Sequence, residues 1–130
     1  FFKNFIVESE GAHKGSLDIK RAMLPIVDAA RLYALKHQVT ETNTLSRLFR
    51  LYTRGAVTPD EYNDIIQAYN HMMNLRFMRQ ITAIVDEEQA PDNFINPSNL
   101  SSIDQVMLKE SFKKIENVQQ KLNMELIGIA

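Results

Sequence analysis

The sequence predicts an all-α fold: an antiparallel bundle of four main helices, preceded by a short extended or hairpin-like N-terminal segment. Three observations carry this. Apolar residues recur at helical spacing through four stretches. Glycine and proline number only four each, and they are well placed. Capping residues stand in front of the stretches. The breaks are short, which sets helices adjacent in sequence antiparallel.

Residues 1–20, FFKNFIVESEGAHKGSLDIK, hold two glycines. Phe5 and Val7 alternate with polar neighbours, as do Leu17 and Ile19, so the pattern suggests a hairpin around Gly11–Gly15. A first helix is expected from Arg21 to His37. It is apolar almost all round (Met23, Leu24, Ile26, Val27, Ala29, Ala30, Leu32, Ala34, Leu35), the pattern of a helix buried on several sides. Asp28 and Arg31, spaced i,i+3, share its remaining face. A second helix is expected from Thr44 to Arg54, with Leu45, Leu48, Phe49 and Tyr52 inward and Gly55 just past its end. Thr58-Pro59-Asp60-Glu61 is a strong helix start, with a cap, a proline in the first turn and a capping box. That third helix runs to Val85. The stretch EEQAPDNFINPSNLSS breaks it with two prolines. Ser102 and Gln105 offer a second capping box, and the last helix runs on to Leu126. Its stripe is Met107, Leu108, Ser111, Ile115, Val118, Leu122 and Leu126. The chain therefore divides at residue 20: 1–20 is a joining segment and 21–130 the bundle.

With 130 residues, the chain fits one domain with a real core. Its 45% apolar and 24% charged residues are globular rather than disordered composition. A formal charge of −1 argues against nucleic acid or a membrane surface as partner, since both favour a basic excess. Absence of cysteine excludes disulfides and thiolate metal sites and is compatible with an intracellular setting. No apolar run reaches the roughly 18 residues of a spanning helix. The chain begins at Phe1 with neither a signal peptide nor an initiator Met, which reads as a piece of a longer protein.

The third helix raises the main question. Tyr62, Ile65, Ile66, Tyr69, Met72 and Met73 make one apolar stripe, and its next members are Arg76 and Gln80, followed by Ile84. In the plain reading the stripe turns: Phe77, Ile81 and Ile84 take over the core and Arg76 snorkels. In the functional reading the cleft becomes polar there. A buried charge needs partners, and Asp28 and Arg31 are candidates. A guanidinium held in such a cleft forks onto phosphate or carboxylate. Thr44 and Arg47 lie off the main stripe of the second helix, where a solvated face is the ordinary outcome. Asp18, Lys20 and Arg21 in GSLDIKR mark a helix N-terminus, where Asp is favourable and the cations are not.

Metal and nucleophile chemistry find no support. His13, His37 and His71 form no H-x-x-x-H pair. HKGS is not a P-loop, and no G-x-S-x-G elbow exists. No D-x-D or E-x-x-H arrangement that would hold a metal is seen, and Asp86-Glu87-Glu88 reads as solvated charge at a helix end.

The series GSLDIK, LPIVDAARLYAL, NTLSRL, LRFMRQ and NFINPSNLS, in this order, resembles the nucleotidyltransferase substrate-binding domain family. The resemblance covers Gly15 to Leu126. That family stands at the C-terminus of bacterial signalling proteins, after a cyclic-nucleotide-binding domain, a CBS pair or both, and a uridylyltransferase-like catalytic domain. The resemblance implies a helical bundle beside a polymerase-β-type domain, in the cytoplasm. Its polar positions fall on Asp18, Lys20, Arg31, Thr44, Arg47, Arg76 and Gln80, and with Asp28 these are expected to converge on one cleft or buried network. The structural alternative is Asp–Arg pairing that fixes helix register.

Catalysis is not expected from this chain alone. Polymerase-β-type transferases resemble one another in a Gly-Ser turn followed by D-x-D or D-x-E, whose carboxylates hold metal ions. Here Gly15-Ser16 is followed by Leu17-Asp18-Ile19-Lys20, and a lysine does not ligate Mg²⁺. The chain itself then needs no cofactor, while a nucleoside triphosphate and Mg²⁺ belong to an upstream catalytic domain. The expected partners are that domain and a protein or small-molecule acceptor. Arg76, Arg31 and Arg47 would bind phosphate or an acidic acceptor, and Asp18 and Lys20 would sit at the join. The other reading is a regulatory or dimerising bundle, a homodimer in its simplest form, that relays upstream sensing and binds no substrate.

Overall fold

A computed structural model describes Val7, Gly11 and residues 13–127, Ile127 by its backbone alone. The order is β1 (Leu17–Asp18), α1 (Ile19–Lys36), α2 (Thr44–Thr53), α3 (Pro59–Val85), β2 (Phe94–Ile95), a 3₁₀ turn (Pro97–Asn99) and α4 (Ser102–Ile127). The all-α bundle of four helices is the fold observed, with a small antiparallel strand pair at one end.

Each helix starts on a polar side chain. Asp18 accepts from the Arg21 N–H at 3.2 Å, which begins α1 at Ile19 rather than Arg21. Asn43 accepts from the Ser46 N–H at 2.8 Å at the head of α2. The box on α3 is complete: Thr58 Oγ1 accepts from Glu61 N–H and Glu61 Oε1 accepts from Thr58 N–H. On α4 the cap lies one residue earlier than expected. Ser101 Oγ accepts from Asp104 N–H, and Gln105 donates to the Pro97 and Leu100 carbonyls instead of closing a box with Ser102. Gly55, at φ +74°, ends α2 as expected.

The main core joins Ile19, Met23, Ile26 and Ala30 of α1 to Ile65, Ala68, Met72 and Leu75 of α3 and Leu108 and Ile115 of α4. A second cluster of Tyr33, Ala34, Val39, Leu51 and Val57 closes the end where α1 meets α2. Lys121–Glu61 and Lys114–Asp64 tie α4 antiparallel to α3.

Four expectations are corrected. In α2, Leu45 and Phe49, expected inward, are exposed, and Leu48 and Leu51 are the buried residues. The strand Leu17–Asp18 pairs not with the segment before it but with Phe94–Ile95, in the register Leu17↔Ile95. The other arm of the expected hairpin, Phe5–Val7, lies outside the described residues except for Val7. Helix α1 is not buried on several sides, because Leu24, Leu32 and Leu35 are exposed. In α3 the plain reading fails: Phe77, Ile81 and Ile84 are 58, 51 and 54% exposed, while Leu75 and Ala83 are buried. The buried face of α3 keeps its direction to the end, and its last turns meet a polar loop rather than another helix.

Candidate functional site

That loop, between α3 and β2, is where Arg76 and Gln80 point. Arg76 Nε donates to Asn93 Oδ1 at 2.8 Å, and Gln80 Nε2 donates to the same oxygen at 3.0 Å. The backbone carbonyl of Asn93 in turn accepts from the Ile19 N–H at 2.8 Å. One asparagine therefore joins α3 to the first residue of α1. Beside it, Arg79 uses its planar fork twice. Nε and Nη2 reach Asp92 at 2.9 and 3.0 Å; Nη1 and Nη2 reach Glu87 at 3.0 and 2.9 Å. Asp92 Oδ1 also accepts from the Phe94 N–H at 3.0 Å, which turns the chain into β2. The His13 ring stacks on Phe94, with centroids 3.7 Å apart and planes within 6°.

Hydrogen bonding from Arg79 holds the carboxyls of Asp92 and Glu87 below their ordinary range. The two carboxylates keep Arg79 charged in return. Arg76 and Arg79 together balance Glu87 and Asp92, so the cluster carries no surplus charge. Its chemistry is that of a brace: it fixes β1, β2 and the start of α1 on the last turns of α3.

The structure places the expected site residues in three groups. Asp18, Arg76 and Gln80 meet around Asn93, Asp18 through its backbone pairing with Phe94. Lys20 is exposed on the adjoining first turn of α1. Asp28 and Arg31 pair with each other at 3.7 Å on an exposed face and do not reach Arg76. They lie about nine to twelve residues beyond Ile19, roughly 14–18 Å along the helix axis at 1.5 Å per residue. Thr44 opens α2 behind the Asn43 cap. Arg47 donates from Nε to the Glu41 carbonyl at 2.9 Å. Asp28 and Arg31 are thus not the partners of Arg76, and the expected single convergence is replaced by separate anchors.

Sequence reading missed Arg79, Glu87, Asp92 and Asn93. The signal lay in Arg79, three residues after Arg76 and on the same helix face, and in a D-N pair just before the apolar Phe94-Ile95. Glu87, read as solvated charge, is paired.

Among the described residues, grooves lie on two sides of the bundle. One, of about 530 Å³, lies between α2 and α3 and is lined by Glu41, Phe49, Arg50, Tyr62 and Asn70 among others. The other, of about 620 Å³, lies between α1 and α4 beside Arg21, Asp28, Glu116 and Gln120. Among the described residues no group of three or more His, Asp or Glu is placed to hold a metal ion. No helix among them is long and apolar enough to cross a membrane.

Residues 1–126 match the model of a family described as "Putative nucleotidyltransferase substrate binding domain". No curated protein and no solved structure matches the chain.

Proposed function

The chain belongs to this family, and from that premise we propose that it positions an acceptor for nucleotidyl transfer by a linked nucleotidyltransferase domain. The observation that carries the reading is the family match over residues 1–126. The geometry supports it in one respect. The chain entering the bundle is fastened where it arrives: His13 on Phe94, Leu17 against Ile95, Ile19 on Asn93, and Asn93 held by Arg76 and Gln80. In this reading the linked domain ahead of β1 is oriented through this anchor point. Orientation of this kind contributes to rate, up to about 7–11 kcal/mol for well-placed reactants.

In this reading the nucleoside triphosphate and Mg²⁺ are held by carboxylates of the linked domain, and the bundle supplies none of them. The acceptor is a protein or a small molecule, and the whole protein is a bacterial signalling protein with cyclic-nucleotide or CBS sensing ahead of the transferase.

A regulatory or dimerising role is favoured by a different observation. Phe77, Met78, Ile81, Ile84 and Val85 leave an apolar face on the last turns of α3 uncovered among the described residues. Apolar faces of this kind mark interaction surfaces.

The test is kinetic. Full-length protein, with and without the bundle, is given an α-labelled nucleoside triphosphate and lysate from its source cells. Loss of labelled acceptor with triphosphate binding retained is the expected result. Equal acceptor labelling without the bundle would refute the positioning role.

A further inference from the structure

We infer that the groove between α2 and α3 is a binding site for a nucleoside phosphate, its base against Phe49 and Tyr62 and its phosphate on Arg50. The inference stands on the groove itself, so it is tested by binding to this chain and does not depend on transfer activity.

The groove has the size of a ligand cleft, about 530 Å³, within the range of about 300–1,000 Å³ for small-molecule sites. Its wall is aromatic and firm. Tyr62 is backed by Tyr52, with ring centroids 4.5 Å apart and planes within 9°. Phe49 leans on Tyr62 at 60° and 6.4 Å, yet is 54% exposed. An aromatic side chain held in place and left half-open offers a face on which a flat heteroaromatic base stacks, a contact worth about 1–3 kcal/mol per base.

The polar groups of the groove suit the rest of such a ligand. Arg47 and Arg50 of α2 and Arg54, its C-cap, follow at i, i+3 and i+7, and all three donate to the segment before the helix. Arg50 meets a carboxylate, Glu41, whose Oε1 accepts from Arg50 Nε at 2.8 Å, while Arg47 and Arg54 donate to backbone carbonyls. Of the three, Arg50 lines the groove, with its partner Glu41 beside it. The α3 carboxylates nearby, Glu61 and Asp64, are engaged by Lys121 and Lys114. Because its Nε is tied to Glu41, Arg50 is pre-organised, with its outer nitrogens in position to fork onto phosphate. Asn70, on the α3 side, offers a donor and an acceptor for a base edge. Glu41 Oε2 is buried without a hydrogen-bond partner. The α1–α4 groove is larger but is lined by no aromatic residue.

The experiment is titration of the 130-residue chain with AMP, adenosine and inorganic phosphate, followed by two-dimensional NMR. Saturable AMP shifts at Phe49, Arg50, Tyr62 and Asn70 are expected. Phe49→Ala, at an exposed position, is expected to weaken AMP by about tenfold, the loss of one stacking contact, and to leave phosphate unchanged. Arg50→Lys keeps the charge on Glu41 but loses the fork, and should weaken AMP and phosphate while sparing adenosine. No saturable shift with millimolar AMP would overturn the inference. So would shifts confined to another face, AMP binding indifferent to Phe49→Ala, or phosphate binding as tightly as AMP.

Discussion

Arg76 and Asn93 stand 17 residues apart in the chain and are joined side chain to side chain, Nε donating to Oδ1 at 2.8 Å. Gln80 donates to the same oxygen, and the Asn93 carbonyl receives the first N–H of α1. An arginine and an amide stand on the core stripe of α3 because a loop, not a helix, covers that part of it.

Asn93→Ala removes the acceptor of two donors at once and should cost about 1–3 kcal/mol. Arg76→Ala leaves Gln80 on Asn93 and should cost less, about 1–2 kcal/mol. Urea unfolding of the two variants measures both, and an unchanged midpoint for Arg76→Ala would place Arg76 outside the brace.

Acid should loosen the same end of the molecule. Asp92 and Glu87 have carboxyls held below their ordinary values of 3.8 and 4.5 by Arg79. A depressed carboxylate contributes stability that is full above its unfolded value and is lost as the pH falls through its folded value. Thermal melts should therefore be flat down to about pH 4.5 in this contribution and fall below it. Arg79→Met should flatten that acid limb.

The exposed face of α3 separates packing from pattern. Phe77→Ser should leave stability within about 0.5 kcal/mol, as for other exposed positions. Met72→Ala, at a fully buried position, should cost about 2–5 kcal/mol. Denaturant midpoints of the pair decide it.

The start of α3 carries its own prediction. Thr58→Ala breaks the reciprocal box with Glu61 and should cost about 1 kcal/mol. Helix-resolved hydrogen exchange should show the first turn of α3 opening while α1 stays protected.

The helices are legible in the sequence because local signals decide them. Thr58-Pro59-Asp60-Glu61 and Gly55 fix their ends through contacts within a few residues. The strand pair is not legible, because Leu17 finds Ile95 across most of the chain and two-residue strands carry no periodicity. Arg76 and Gln80 are legible as anomalies on a stripe, but their partner is a single asparagine in a loop with no pattern of its own. The pairing of Asp28 with Arg31 follows from i,i+3 spacing; their distance from Arg76 follows only from where α1 begins.

The most direct measurement is nucleotidyl transfer by the full-length protein carrying Asn93→Ala, with triphosphate binding and bundle helicity followed in parallel. If the brace orients the bundle on the domain ahead of it, transfer to the acceptor falls while triphosphate binding and helicity are retained. Transfer at the unmodified rate, with the Asn93 contacts gone, would contradict it.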